Sequence, residues 1–145
     1  MLDVSRGTAS NVNINAYIDD ILNISYATAS STTRNVAFVT ADTDIAVCLQ
    51  WKQPHFPVFL SLTSEGSVKE AVKFIKSNNL LGLFVNAQLV QRVPKLVDAV
   101  KESGSMVVAD VGQGARVSID GVDGVASTSD FNCLTTFTAP TSNLI

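Results

Sequence analysis

The chain has 145 residues and a mass of 15.4 kDa, the size of one ordinary domain that can bury a core without disulfides or metals. Hydrophobic residues make up 46% and charged residues 16%, which excludes a disordered chain. The formal net charge is −3 and the sequence has no basic stripe, so no nucleic-acid partner is expected.

The sequence also carries little sign of secretion or of membrane insertion. No basic start precedes an apolar run at the amino terminus, so no signal peptide is predicted. The longest apolar stretch, Leu80 to Val85, is far shorter than the about 20 residues that a membrane-spanning helix needs. Cys48 and Cys133 have no paired cysteine or histidine spacing and are expected to be small buried side chains. These features predict a cytoplasmic or nuclear chain with no membrane partner.

Short apolar runs bounded by polar or turn residues recur along the chain. This pattern is typical of strands that are buried on both faces of a parallel sheet. In chain order, the five predicted strands are Val36–Thr40, Pro57–Leu62, Leu80–Val85, Met106–Asp110 and Val122–Ala126.

Helical patterns precede the first strand and follow it. From Asn13 to Tyr26, apolar residues recur at spacings of 3, 4 and 7, which predicts one apolar helix face. Asp42 or Thr43 can begin a second helix. That helix is expected to end before Pro54, because a proline disfavours helical backbone in the residue before it.

Two further helices are predicted by their terminal residues. Ser67 and Glu70 have the spacing of a capping box and are followed by an apolar face. Pro94 suits the first turn of a fourth helix, and Gly104 suits its carboxyl-terminal end.

The alternation of helices and strands predicts an α/β fold with a parallel sheet and right-handed crossovers. Two architectures fit: an open doubly wound sandwich, and part of an eight-stranded (β/α)8 barrel, which five strands cannot close. Beyond residue 126 the pattern fades into a segment rich in Ser, Thr and Asn. The predicted organisation is therefore one domain over residues 1–126 and a loose or peripheral tail over 127–145.

Few side chains point to catalysis. His55, the single histidine, precedes a predicted strand and so lies at the end of the sheet opposite the usual active sites. Asp42 and Asp110 end strands at the active-site edge, but helix capping by Asp42 is favoured over metal binding because no third carboxylate has a recognisable spacing. Gly112 and Gly114 lack the third glycine of a dinucleotide-binding motif, so a turn is favoured over a phosphate loop.

The end of the second predicted helix carries the single tryptophan. Trp51 is expected to be a packing residue, whereas Lys52 and Gln53 beside it are expected to be exposed to solvent. Asp44 suits the first helical turn, where the helix dipole favours a negative charge. Asp123 lies at the fifth strand and completes the set of carboxylates considered for a metal or for acid–base chemistry.

Six segments in one order carry a family resemblance: Asn15–Leu22, Asn35–Pro54, Pro57–Leu60, Ser67–Leu83, Val93–Gly104 and Gly121–Val125. The run VPKLVDAVKESG, from Val93 to Gly104, is the closest match to a family pattern of Pro-x-Leu-Val-x-x-Val-Lys-Glu-Ser-Gly. Together these segments resemble the fungal glycerophosphodiester phosphodiesterase domain, over roughly residues 12–126.

The resemblance implies a fold and a set of residues. The fold would be the carboxyl-terminal half to two-thirds of a phosphodiesterase-type (β/α)8 barrel, with about five parallel strands. The family's catalytic His, Glu and Asp residues precede the matched stretch and have no counterpart here, so no catalytic and no metal residue is assigned. Thr40 and Gly112 are the candidates for lining a substrate pocket. An active full-length member is expected to use a divalent metal.

The resemblance also implies two functions. The parent family hydrolyses glycerophosphodiesters to an alcohol and glycerol 3-phosphate in lipid and phosphate metabolism, and this chain alone is expected to be inactive. The alternative is a non-catalytic regulatory domain. The related fungal proteins join SPX, ankyrin and phosphodiesterase-like domains, and one branch of them is the phosphate-starvation inhibitor of a cyclin-dependent kinase, whose barrel resembles a catalytically degenerate one.

An open half-barrel raises the question of what completes it. Such a sheet would leave two strand edges and its barrel-facing side chains exposed. The expected partners are therefore the missing amino-terminal half-barrel or a second copy of the chain, and a cyclin–kinase complex for the regulatory alternative.

Overall fold

Strands and helices alternate along the chain in the computed structural model, which describes residues 2–3, 13–33, 35–112, 118–127 and 132–133. The strands within these residues are β1 (Leu2–Asp3), β2 (Phe38–Thr40), β3 (Val58–Ser61), β4 (Gly82–Asn86), β5 (Met106–Asp110), β6 (Gly124–Ala126) and β7 (Asn132–Cys133). The helices are α1 (Ile14–Ser31), α2 (Thr43–Lys52), α3 (Val68–Asn78), α4 (Ala87–Arg92) and α5 (Lys95–Glu102).

One parallel sheet holds all the described strands, in the order β6-β5-β4-β3-β2-β1-β7. From β1 to β6 each strand lies beside the one before it, so the spatial order of these strands follows their order in the chain without a reversal. A doubly wound sandwich would reverse its strand order near the middle of the sheet. The sequential order therefore favours the partial barrel over the sandwich.

Two separate apolar clusters confirm that the helices cover only one face of the sheet. The larger cluster joins residues of all five helices to alternate strand residues such as Phe38, Leu83 and Val107. The second cluster, on what we call the inner face, contains strand residues and no helix residue: Val39, Phe59, Phe84, Val108 and Ala126. A sheet with helices on its outer face alone is the wall of a (β/α) barrel.

The inner face is not exposed, contrary to the expectation for a half-barrel. Each of the five inner-face residues is at most 7% exposed to solvent. The prediction of exposed barrel-facing side chains is wrong, because these residues from five neighbouring strands pack together in one cluster. Within the described residues, the sheet does end in two edge strands, β6 and β7.

The helix ends follow the predicted capping residues. Asp42 accepts hydrogen bonds from the backbone N–H groups of Asp44 and Ile45, and α2 ends before Pro54. Ser67 accepts a hydrogen bond from the N–H of Glu70 at 3.4 Å, at the start of α3. Gly104 follows α5 with a φ of 82°.

The five predicted strands and four predicted helices are all present, but three described elements were not predicted. These are the two-residue strands β1 and β7 and the six-residue helix α4. Strand β7 lies within the segment predicted to be a tail. Residues 128–131 and 134–145 of that segment lie outside the described part. Cys48 is half-buried, and the side chain of Cys133 lies outside the described residues.

The residues around the end of α2 also differ from prediction. Trp51 is 84% exposed and Gln53 only 1% exposed, so the expectations for both are wrong. The helix presents Ile45 and Leu49 to the core, and Trp51 falls outside that stripe. Gln53 is buried because its side-chain amide bonds to the backbone of Phe56.

Candidate functional site

A cavity of about 480 Å³ opens at the carboxyl ends of β3, β4 and β5. Its volume lies within the usual range of small-molecule sites, about 300 to 1,000 Å³. In a (β/α) barrel this end of the sheet carries the active site. The residues that line the cavity are Ser61, Leu62, Thr63, Ser64, Phe84, Asn86, Gln88, Leu89, Arg92 and Asp110.

Each of the three strands ends in a polar residue that follows the apolar inner face. Ser61, Asn86 and Asp110 are the last residues of their strands. Each lies two residues after an inner-face residue, and side chains two apart share a face of a sheet. Asn86 pairs with Asp110 across β4 and β5. The cavity thus has polar groups at its walls and Phe84 at its apolar floor.

Asp110 is held in place by the turn that follows β5. Its Oδ1 atom accepts a hydrogen bond from the N–H of Gly112 at 2.9 Å. Gly112 has a φ of 75°, a conformation that glycine adopts without strain. The carbonyl oxygen of Gly112 in turn accepts a 2.7 Å hydrogen bond from the hydroxyl of Ser127, which follows β6. This chain of contacts fixes the carboxylate at the rim of the cavity.

Helix α4 supplies the positive charge of the cavity. Asn86 begins the helix, and its side-chain oxygen accepts a hydrogen bond from the N–H of Gln88 at 2.8 Å. Arg92, the last residue of α4, is exposed and lines the cavity. Among the described residues it makes no ion pair, with Asp110 or with any other carboxylate. The cavity therefore holds one cationic and one anionic side chain that do not neutralise each other.

The two predicted pocket residues occupy different places. Gly112 is not among the cavity's lining residues, but it contacts one of them, Asp110. Thr40 is fully buried, and its hydroxyl accepts a hydrogen bond from the N–H of Asp42 at 3.0 Å. Because Val39 belongs to the inner face, the alternation of a strand directs Thr40 to the outer face. The structure therefore does not bring Thr40 and Gly112 together.

The remaining titratable candidates lie away from the cavity. His55 is exposed in the loop before β3, at the opposite end of the sheet, with its ring 6.3 Å from that of Tyr26. Asp42 caps α2, as the favoured interpretation predicts. The Oδ2 atom of Asp123 accepts a hydrogen bond from the backbone N–H of Val107 at 2.8 Å, which makes it a structural residue.

Sequence reasoning missed Arg92 and Asn86 because it missed α4. The segment between β4 and Pro94 has a usable signal: an asparagine suited to capping, followed by the helix formers of AQLVQR. It also follows a buried strand directly, at the edge of the sheet where sites are built.

The described residues alone do not fit a divalent metal. They contain no group of three or more His, Cys, Asp or Glu side chains that could hold one. Asp110 is the single carboxylate on the cavity wall. In the same part of the chain, no helix has the length and apolar character needed to cross a bilayer.

Two glycerophosphocholine phosphodiesterases are among the known proteins to which the chain is similar. The chain is 36% identical over 107 residues to a glycerophosphocholine phosphodiesterase of Candida albicans, covering 67% of this chain and 9% of the relative. It is 33% identical over 130 residues to a glycerophosphocholine phosphodiesterase of Eremothecium gossypii, covering 79% of this chain and 10% of the relative. The chain is homologous to the glycerophosphodiester phosphodiesterase domain of fungal proteins.

A regulatory protein is also among the relatives of this phosphodiesterase-like domain. The phosphate system positive regulatory protein of Saccharomyces cerevisiae is 24% identical over 151 residues, covering 76% of this chain and 13% of the relative. The chain thus spans only 9% to 13% of the length of these three relatives. No protein-family model and no solved structure matches the chain.

Proposed function

We propose that this chain forms the carboxyl-terminal wall of a glycerophosphodiester-binding barrel and that its cavity contacts the substrate. The observation that carries the proposal is the position of the cavity, at the carboxyl ends of three adjacent parallel strands of a partial barrel. A guanidinium group at this position suits a phosphodiester, because its planar set of donors matches phosphate oxygens. Arg92 is the cationic residue on this wall.

The wall supplies binding groups rather than a complete catalytic set. The lining residues offer hydroxyl and amide groups from Ser61, Thr63 and Asn86, beside Arg92 and Asp110. Hydrolysis also needs groups that activate a nucleophile and protonate the leaving alcohol. In this proposal those groups, and any divalent metal, come from a part of the barrel outside the described residues.

A binding titration tests the proposal. Glycerophosphocholine is added to the isotopically labelled 145-residue protein, and amide chemical shifts are followed by NMR. Shifts confined to the carboxyl ends of β3, β4 and β5 are the expected result. Shifts confined to the opposite end of the sheet, or none at millimolar ligand, would contradict the proposal. The same protein with divalent metal should release no choline, and hydrolysis would refute the assignment of catalysis to groups outside it.

The similarity to the yeast regulatory protein favours a second candidate, a non-catalytic regulatory domain. Its partner would be a cyclin–kinase complex of the cytoplasm or nucleus. Binding of a purified complex by the chain, lost on removal of residues 127–145, would support this candidate. Retention of binding without that segment would assign the interaction to residues 1–126, and no binding would reject it.

The two candidates differ in what completes the sheet. The barrel candidate needs an amino-terminal half-barrel or a second copy of the chain beside edge strands β6 and β7. Sedimentation of the chain alone and with a separately produced half-barrel measures this directly. A monomer that binds neither would argue against both completions of the barrel.

A further inference from the structure

The cavity carries two opposite charges on separate strand–helix units. Arg92 ends α4, after β4, whereas Asp110 ends β5. Among the described residues, neither side chain has an ionic partner within 4 Å. Both groups are therefore available to one ligand that spans the space between them.

The two groups differ in what they can bind. Arg92 donates hydrogen bonds only, and a phosphate oxygen is its natural acceptor. An ionised Asp110 accepts hydrogen bonds only, and hydroxyl groups are suitable donors. It would repel the phosphate itself, so a ligand must present its phosphate to one side of the cavity and its hydroxyl groups to the other.

The orientation of Asp110 strengthens this assignment. Its Oδ1 atom is bound by the N–H of Gly112 at 2.9 Å, and that residue is tied by Ser127 to the end of β6. One carboxylate oxygen thus accepts a hydrogen bond from the protein backbone, and the remaining acceptor positions can accept hydrogen bonds from a ligand in the cavity. A carboxylate that is fixed before binding loses little freedom when a hydroxyl group binds to it.

We propose that Arg92 binds the phosphate and Asp110 the hydroxyl groups of a glycerol 3-phosphate moiety, so that Asp110 distinguishes this moiety from other phosphates. This inference rests on the proposed function and adds the residue that gives specificity. In this assignment Asp110 recognises the hydroxyl-bearing end of the ligand, and Gly112 is the residue that positions its carboxylate.

The test compares two probes, glycerol 3-phosphate and inorganic phosphate, by calorimetric or NMR titration of the full chain. The R92Q variant should bind both probes about tenfold more weakly, because a charged hydrogen-bonding group is lost. R92K, which keeps the charge but loses the planar fork, should lie between wild type and R92Q. K95Q, an exposed change on α5 that lines no part of the cavity, is the matched control and should change neither affinity.

The D110N variant separates the two roles. It should weaken the binding of glycerol 3-phosphate by about fivefold and leave the affinity for inorganic phosphate unchanged or higher. The reason is that one negative charge is removed while an acceptor for the Gly112 N–H remains. D20N, an exposed change on α1, is the matched control. Equal effects of D110N on both probes, or none, would overturn the role of Asp110 while the proposed function stands. Failure of wild type to bind glycerol 3-phosphate would overturn the proposed function itself.

Discussion

Gln53 and Phe56 close a small hydrogen-bonded ring beneath the sheet. The side-chain nitrogen of Gln53 donates to the carbonyl oxygen of Phe56 at 2.9 Å, and its oxygen accepts from the N–H of Phe56 at 2.7 Å. Gln53 is only 1% exposed, and Phe56 packs edge-on against Phe38 at a ring distance of 5.9 Å. The ring therefore directs the chain from α2 into β3 and satisfies two backbone groups in a loop that cannot use regular pairing.

Replacing Gln53 with alanine should lower the free energy of unfolding by about 2 to 3 kcal/mol, since two backbone groups of Phe56 lose their partner. Urea denaturation measures this change. Gln91→Ala, an exposed change on α4, is the control and should stay within about 0.5 kcal/mol of wild type. Equal losses in the two variants would show that the ring around Gln53 contributes nothing specific.

Gly82 permits the close approach of β4 to β5. A Cβ atom at this position would overlap the carbonyl oxygen of Met106, a backbone atom that cannot move without disturbing the sheet. Gly82→Ala should therefore destabilise the domain by about 3 kcal/mol or more, and loss of soluble protein would agree with this. Gly66→Ala is the control, because its closest contact is the flexible end of Leu62. Its loss should be clearly smaller in thermal denaturation.

The sequence predicted the central fold well because buried parallel strands are short and almost wholly apolar. The runs ending in Thr40, Leu62 and Asp110 stand out against polar surroundings. Helices with a capping residue and a clear apolar face, such as α3, were equally visible. Strands β1 and β7 were missed because two residues cannot establish a period.

The candidate site was only partly predictable. Asp110 was recognised as a carboxylate at the active-site edge of the sheet but was not assigned to a pocket. Gly112 was predicted as a pocket residue; it does not line the cavity but binds Asp110, which does. Arg92 was missed because α4 has six residues, too few for a periodic apolar face. Thr40 shows why strand parity matters: the last residue of β2 lies on the outer face, since its neighbour Val39 takes the inner one.

Trp51, the single tryptophan, is 84% exposed on α2 and should report poorly on folding. Its fluorescence should be quenched by acrylamide almost as strongly in the native state as in urea. Trp51→Ala should change stability by less than about 0.5 kcal/mol, because little surface is buried. A native spectrum strongly blue-shifted from that of the unfolded chain would contradict this placement. Phe38→Ala, at a fully buried site, gives the contrasting loss of about 3 to 5 kcal/mol.

Asp123 makes two contacts of unequal strength. Its Oδ2 atom accepts the hydrogen bond of the Val107 N–H at 2.8 Å, and Val107 is completely buried. Its Oδ1 atom lies 3.5 Å from the Lys101 ammonium, whose side chain is 42% exposed. An exposed ion pair contributes about 0 to 1 kcal/mol, whereas a buried donor left without its acceptor costs about 1 to 3 kcal/mol. The hydrogen bond to the strand should therefore account for most of the effect of Asp123.

Two variants separate these contributions. Lys101→Ala removes only the ion pair and should cost less than about 1 kcal/mol, a loss that shrinks further at high salt because the pair is exposed. Asp123→Ala should cost about 2 kcal/mol more than that and should keep this difference at high salt. Asp123→Asn retains an oxygen acceptor for Val107 and should fall between them. Equal unfolding free energies for the Lys101→Ala and Asp123→Ala proteins in urea would assign the stabilisation to the ion pair instead.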